Sequence, residues 1–284
     1  MVISKKGFQV IKLDGRALFL FTFLIATSLI NSGVDKVERY FYGVKPGVTI
    51  ESYAAEGLLP DEVRLVVEEL ALKYLTIPVE PHIDKLTGQI IEEKEGVLVD
   101  IKKSVAKVIA AQENEQVSLY LIRVQPHHTS QELSNANKVL GYYETGIGGS
   151  YQRYNNILLA SQGINNVLLW PGDLFSFNEI VGPRTVERGY LPAPVILSGS
   201  TGVDYGGGVC QVSSTLYNAV LNSGLKVMER HPHSKPVTYI PKDRDATVSF
   251  DDLDFKFENT SQGPIIVKAG ISGGRIWVQL RGKD

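Results

Sequence analysis

Between residues 60 and 74 the apolar positions Val63, Val66, Val67, Leu70 and Tyr74 recur at the spacing of one helix face, and Pro78 and Pro81 end the pattern. "EGVLVDIKKSVAKVIAA" repeats that pattern behind a strand-like start, and "VSLYLIRVQP" alternates like a strand up to Pro126. From His127 to about Ser150 the chain turns polar and glycine-rich and reads as a connector. Beyond it "RYNNILLASQGINN" predicts a short amphipathic helix, and "VLLWPGDLFSFN" a strand broken at Pro171-Gly172. Residues 206–224, "GGGVCQVSSTLYNAVLNSG", predict a helix entered through three glycines. Leu253, Phe255 and Phe257 then interleave with Asp254, Lys256 and Glu258, and "GPIIVKAG" and "GRIWVQLRG" follow as strands with glycine turns between them. One helix cluster with antiparallel strands predicts an α+β fold, with a smaller mixed α/β domain ahead of it. No solenoid repeat or low-complexity tract interrupts the pattern.

The N-terminus obeys a different pattern. Ala17 to Val34 is an uncharged run of 18 residues behind Lys5, Lys6, Lys12 and Arg16. That length matches the lower end of the roughly 17 to 25 residues a membrane-spanning helix needs. The basic flank predicts a cytoplasmic N-terminus, a single-pass anchor and an extracytoplasmic body. A cleaved signal and a buried N-terminal helix are the alternatives, and no clean small-x-small cleavage site follows the run. The expected organisation is residues 1–34 as tail and anchor, 35–126 as the small domain, 127–150 as connector, and 151–284 as the larger domain.

Composition adds a real core and excludes one class of partner. The chain of 284 residues is 43% hydrophobic, with 13 tyrosines and 10 phenylalanines. Net charge is −2, distributed as +3 over residues 1–34, −5 over 35–126 and zero over 127–284. No segment carries the basic excess of a nucleic-acid binder.

Cys210 is the sole cysteine, so no disulfide can form within the chain. At 100° per residue Val209, Val212, Leu216, Ala219 and Val220 share one stripe, whereas Cys210, Ser214, Tyr217 and Leu221 lie on another face. A helix N-terminus lowers a thiol's pKa and supplies backbone N–H groups for an oxyanion. A thiolate enzyme also needs a base and a group to orient it. "ERHPHSKPVTYIP" offers His231 and His233, and "DRDATVSF" offers Asp243 and Asp245. The order Cys, His, acid matches papain-like and transglutaminase-like hydrolases and acyltransferases, an analogy of topology only.

Three other readings fit the same residues. Cys210 in "VCQV" suits a small core residue. His231-x-His233 with Cys210 and an aspartate suits a zinc ion, though at no established spacing. The glycine loop suits a phosphate but lacks the Gly-Lys-Ser/Thr ending. No metal or cofactor is therefore assigned. Arg184 and Arg188 in "GPRTVERGY" fit a clamp on a substrate carboxylate, or simply a surface loop. His82, His127 and His128 read as solvated, and Trp170 and Phe175 as core.

"RYNNILLAS", "WPGDLFSFNEIVGPRTVERGY", "GGGVCQVSSTLYNAVLNSGLKVMERHPHS", "TYIP", "DATV" and "DLDFKFEN" together resemble the VanW family, accessory proteins associated with vancomycin-resistance clusters in Gram-positive bacteria. The resemblance spans about residues 141 to 284. "DKLTGQIIEEKEGVLVDIKKSVAKVIA" with "VSLYLIRVQP" resembles a peptidoglycan-binding domain found ahead of such domains. These likenesses imply a membrane-tethered protein at the cell wall, with peptidoglycan or its precursors and cell-wall synthesis proteins as partners. They imply no settled reaction. The family pattern matches at Gly206, Gly207, Gly208, Cys210, Gln211, Arg230, His233, Ser234 and Asp245, and departs at "KDRDATV", where a glycine commonly precedes the aspartate. The expected catalytic residues are Cys210, His233 and Asp245. Gly207, Gly208, Gln211, Arg184, Arg188 and Ser234 are the expected substrate-binding residues. The alternative expectation is a non-catalytic wall-binding or scaffold protein.

Overall fold

The computed structural model describes residues 33–197, 200–250 and 252–283. They form two units: residues up to Pro78 with Glu95–Gln125, and Val79–Lys94 with Pro126 onward.

In the first unit Pro60–Tyr74 is helical, with proline at the first helical position and the Glu62 carboxylate accepting from the Leu59 amide at 2.9 Å. Glu62 also takes Arg39 Nη1 at 2.6 Å, and that bond holds its carboxyl down at about 2. Val63, Val67 and Leu70 are buried with Val108 of a second helix, Ile101–Ile109. Tyr74, on the same stripe in the sequence, is the helix's last residue and is exposed. Asp100 caps the second helix by accepting from Lys103 N at 2.9 Å. Thr49–Ile50 pairs parallel with Gln116–Val117 and antiparallel with Tyr53–Ala54, and Gly96–Val99 pairs antiparallel with Leu121–Val124.

Among the described residues no helix is long and apolar enough to cross a membrane. The run Ala17–Val34, expected as the anchor, lies outside the described residues except for Gly33 and Val34.

The second unit is built on a four-stranded antiparallel sheet in the order Lys138–Gly146, Arg275–Gly282, Ile265–Ser272, Val167–Leu169. Ile276, Val278 and Leu280 are fully buried and alternate with half-buried Trp277 and Gln279, the two-residue period of a strand with one core face. Gly273 and Gly274 close the hairpin at φ 56° and 72°, the left-handed pair that a tight two-residue turn requires.

The stretch 127–150, expected as a connector, contains the helix Ser130–Asn135 and the edge strand Lys138–Gly146. Its polar residues are those of a helix cap, where Thr129 accepts from Glu132 N, and of a strand's exposed face.

The helix Val209–Ser223 lies against this sheet. A Cβ on Gly141 would meet the Ala219 carbonyl oxygen at 2.1 Å, so strand and helix backbones touch there. Val209, Val212, Leu216, Ala219 and Val220 are buried, as their stripe predicts. The helix's other side is covered too, with Ser213, Ser214, Thr215 and Asn218 all at 0% exposure. Beside it a three-stranded sheet, Leu174–Ser176 with Lys256–Glu258 and Lys226–Glu229, brings Phe175, Phe255 and Phe257 into one aromatic core. Asp254, expected to alternate outward, is buried. Its carboxylate accepts from Ser176 Oγ at 2.5 Å, Asn178 N at 2.9 Å and Phe255 N at 2.8 Å, which satisfies its oxygens inside the fold.

Candidate functional site

The entry turn to the cysteine helix is fixed by contacts only glycine permits. Gly208 is its N-cap at φ 104°, and a Cβ there would lie 2.9 Å from Ile157 Cγ1 and 3.0 Å from the Arg153 carbonyl. A Cβ on Gly207 would lie 2.6 Å from that of Ala193. Asn156, fully buried on the helix Tyr151–Ile164, donates to the Gly207 and Leu191 carbonyls at 2.9 and 2.8 Å. The Val209 and Gln211 amides donate to the Gly206 and Gly208 carbonyls at 3.0 Å each. The Cys210 amide, between them, has no acceptor among the described residues.

Cys210 is half-buried, and its thiol donates to the Val248 carbonyl at 3.5 Å. The His233 side chain stands close enough to act on the thiol and lower its pKa. His233 Nδ1 meets Asp245 Oδ2 at 2.5 Å, and the His233 amide donates to the same oxygen at 2.6 Å. Arg230 closes the other side, donating through Nη2 to Asp245 Oδ1 at 2.8 Å and through Nε to the Asp245 carbonyl at 2.6 Å. With Nδ1 committed to the carboxylate, Nε2 is the ring nitrogen left for the thiol.

Burial by itself pushes the Cys210 thiol up, but His233, the Val248 backbone and the Arg184 charge together leave the thiol below its ordinary value. Burial likewise works against the His233 imidazolium, yet Cys210 and Asp245 raise it. Asp245 is held below the usual carboxylate range: the two His233 N–H bonds overcome its own desolvation.

The remaining expected residues divide. Gln211 is buried and its amide is fully used: Oε1 accepts from Arg153 Nη2 at 2.6 Å, and Nε2 donates to Thr145 Oγ1 at 2.9 Å and the Gly146 carbonyl at 2.8 Å. Arg184 is half-buried and is among the charges acting on Cys210. Arg188 is exposed and donates to the Pro183 carbonyl at 3.3 Å. Ser234 is exposed and lines, with His233 and Asp245, a cleft of about 180 Å³. His231 turns to Glu229, with Nε2 and Oε1 2.9 Å apart. His128, expected in solvent, stacks on Trp170 with centroids 3.7 Å apart.

The sequence reading did not single out Arg153, Asn178 or Tyr239, although all three stand inside the quoted motifs. Arg153 lies 5.8 Å from the Tyr239 ring, Tyr239 stands edge-on to His233 at 6.5 Å, and Asn178 holds Arg184 at 2.8 Å. Conserving a motif's order tells nothing of which members face the thiol. Asp243 takes φ 66° in the turn that leads to Asp245, so an aspartate carries the left-handed conformation for which glycine is best suited.

Fold and site together define an α+β domain bearing a thiol in the first turn of a helix beside an imidazole that is hydrogen-bonded to a carboxylate. Residues 152–281 match the model of a family described as "VanW like protein". "Uncharacterized protein YoaR" of Bacillus subtilis (strain 168) is 40% identical over 165 residues, covering 57% of this chain and 54% of that protein. "Vancomycin B-type resistance protein VanW" of Enterococcus faecalis (strain ATCC 700802 / V583) is 30% identical over 124 residues, covering 41% of this chain and 45% of that protein. The chain thus spans about half the length of the curated relatives it matches. No solved structure matches.

Proposed function

We propose that this chain is an envelope protein of the VanW family, anchored through residues 17–34, and that its larger domain is a cysteine-dependent enzyme acting on an amide or acyl group of peptidoglycan stem peptides. The observation that carries the reading is one imidazole bonded to Asp245 through Nδ1 and acting on the Cys210 thiol, whose pKa it lowers. The family match and the name of the enterococcal relative support the envelope context. Residues 35–126 would hold peptidoglycan, and enzymes of wall synthesis are the expected partners.

In this reading His233 Nε2 takes the Cys210 proton, and the thiolate attacks the carbonyl carbon. The first-turn Cys210 amide faces the developing oxyanion, while Gly207 and Gly208, packed against Ala193 and Ile157, shape the turn that presents it. The C–N bond breaks, His233 returns the proton to the departing amine, and a thioester remains on Cys210. Water or an acceptor amine then attacks the thioester, giving its proton to His233, and the thiol is restored. Asp245 keeps the imidazole oriented throughout. Ser234 and Arg188 lie at the surface for substrate contact, while Gln211 positions the entry turn through Arg153 and Gly146.

Incubating the full chain in detergent with purified muropeptides and following their masses tests the reading. A mass change that disappears with Cys210→Ala, while muropeptide binding persists, is expected. The thiol's bond to the Val248 carbonyl favours the second reading, a non-catalytic wall-binding module. No mass change with any muropeptide, and binding indifferent to Cys210→Ser, would establish that module instead.

A further inference from the structure

Arg153 is a half-buried cation to which the fold supplies no carboxylate. It stands in the first turn of the helix Tyr151–Ile164, and its side chain runs along the entry turn of the cysteine helix: a Cβ on Gly208 would lie 3.1 Å from Arg153 Cγ. Nε donates to the Gly148 carbonyl at 3.2 Å, and Nη2 to Gln211 Oε1 at 2.6 Å. The guanidinium carbon lies 5.8 Å from the Tyr239 ring, which stands edge-on to His233 at 6.5 Å. Both acceptors and the ring are uncharged. Among the described residues no carboxylate bonds the guanidinium, and Nη1 makes no hydrogen bond. Unlike Arg184 Nη1, which is sealed and unpartnered, Arg153 Nη1 is open to solvent.

Burial works against the charged form of this guanidinium, and neutral acceptors offset that cost only in part. The two bonds occupy the Nε–Nη2 edge, so both N–H groups of Nη1 remain for an acceptor from solution. A carboxylate fits, because it opposes the charge and takes guanidinium N–H groups in pairs. Arg184, expected as the carboxylate clamp, instead has Nη1 closed to solvent and Nη2 on Asn178 Oδ1. Arg153 also has the right address. It touches Gly208 and Gln211, which bracket Cys210 in the chain, so a carboxylate held there belongs to a residue close to the amide under attack.

We propose that Arg153 binds the free carboxylate at the end of a stem peptide, and so selects substrates whose reacting amide lies near that end. The inference rests on the stem-peptide reading of this site. A substrate amidated at its end leaves the cation unpaired and is bound less well.

Binding reads this without turnover. The full chain in detergent, carrying Cys210→Ala, is titrated calorimetrically with a muropeptide whose stem ends in a free carboxylate, and with the same muropeptide amidated at that end. The free acid should bind about tenfold tighter or more, as for a hydrogen bond to a charged group, and Arg153→Met should abolish that preference. A variant that merely disturbs the entry turn through Gln211 weakens both ligands alike; a preference that survives Arg153→Met in this way overturns the proposal. Arg153→Lys keeps the charge without the two-point grip and should retain part of the preference, and it carries the test if the methionine chain does not melt cooperatively. Equal affinity of the Arg153 chain for both muropeptides also overturns the proposal, while leaving the stem-peptide reading standing. Failure of the catalytic reading shows separately, as both muropeptides left intact by the Cys210 chain while the preference for the acid remains. No binding of either muropeptide overturns both.

Discussion

Asp245 uses its two oxygens differently: Oδ2 takes both N–H groups of His233, and Oδ1 takes Arg230, whose side chain is 20% exposed. Asp245→Asn keeps the shape but leaves that guanidinium unpaired and places an amide where two acceptors stood. A loss of about 2–4 kcal/mol in urea unfolding is expected, together with slower Cys210 alkylation. The carboxyl's folded pKa lies below its unfolded value, so its contribution is complete above the ordinary carboxylate pKa and lost as pH falls through the folded one. Melting temperature should therefore fall more steeply with acid in the native chain than in the Asp245→Asn chain. Cys210 is lowered and His233 raised, so the two titrations are drawn toward each other and coupled. Alkylation should therefore rise with pH at a midpoint below 9, the thiol's ordinary value. A profile that rises only near pH 9 would falsify the coupling.

At the scale of elements, the cysteine helix and the segment carrying Asp245 are laced together by small hydroxyls. Ser214 Oγ donates to the Cys210 carbonyl at 2.7 Å and accepts from the Ala246 amide at 2.9 Å, and Ser213 Oγ donates to the Ala246 carbonyl at 2.6 Å. Ser214→Ala strands a buried amide, so stability should drop by about 1–3 kcal/mol. Because that amide follows Asp245 directly, activity should fall while the denatured thiol count stays at one, an outcome readable from unfolding curves and muropeptide turnover. The turn before Asp245 offers the opposite change. Replacing Asp243, at φ 66°, with glycine removes left-handed strain and should raise stability by up to about 1 kcal/mol.

Across the whole molecule, the second unit is discontinuous in sequence: Val79–Lys94 belongs with Pro126 onward. Ile83 joins Leu133, Ala136 and Ile266 in a small apolar cluster, and Lys85 Nζ donates to the Gly163 and Asn165 carbonyls at the end of the helix Tyr151–Ile164. A chain cut to residues 127–284 loses both contacts. It should be less stable than the same unit in the full chain by roughly 2–5 kcal/mol, the range for removing a buried aliphatic side chain, and differential scanning calorimetry should show the second unit's transition at a lower temperature.

Local pattern was enough to determine much of this protein. The 3.6-residue period located the helices Pro60–Tyr74 and Val209–Ser223, alternation with paired glycines located the hairpin of Ile265–Ser272 and Arg275–Gly282, and a lone cysteine followed by two histidines and two aspartates left His231 or His233 and Asp243 or Asp245 open, of which the fold bonds His233 to Asp245. Periodicity records which side of an element avoids water, and that is a property of neighbours in sequence. Tertiary structure alone decided what lies across from each element. It buried the serine face of the cysteine helix against Ala246, turned Gln211 inward to Arg153, gave His231 to Glu229, drew Val79–Lys94 into the second unit, and left one nitrogen of Arg184 without a partner. Except for His231 with Glu229, such pairings join residues tens of positions apart, and the energies of all of them depend on burial and geometry that no local spacing encodes.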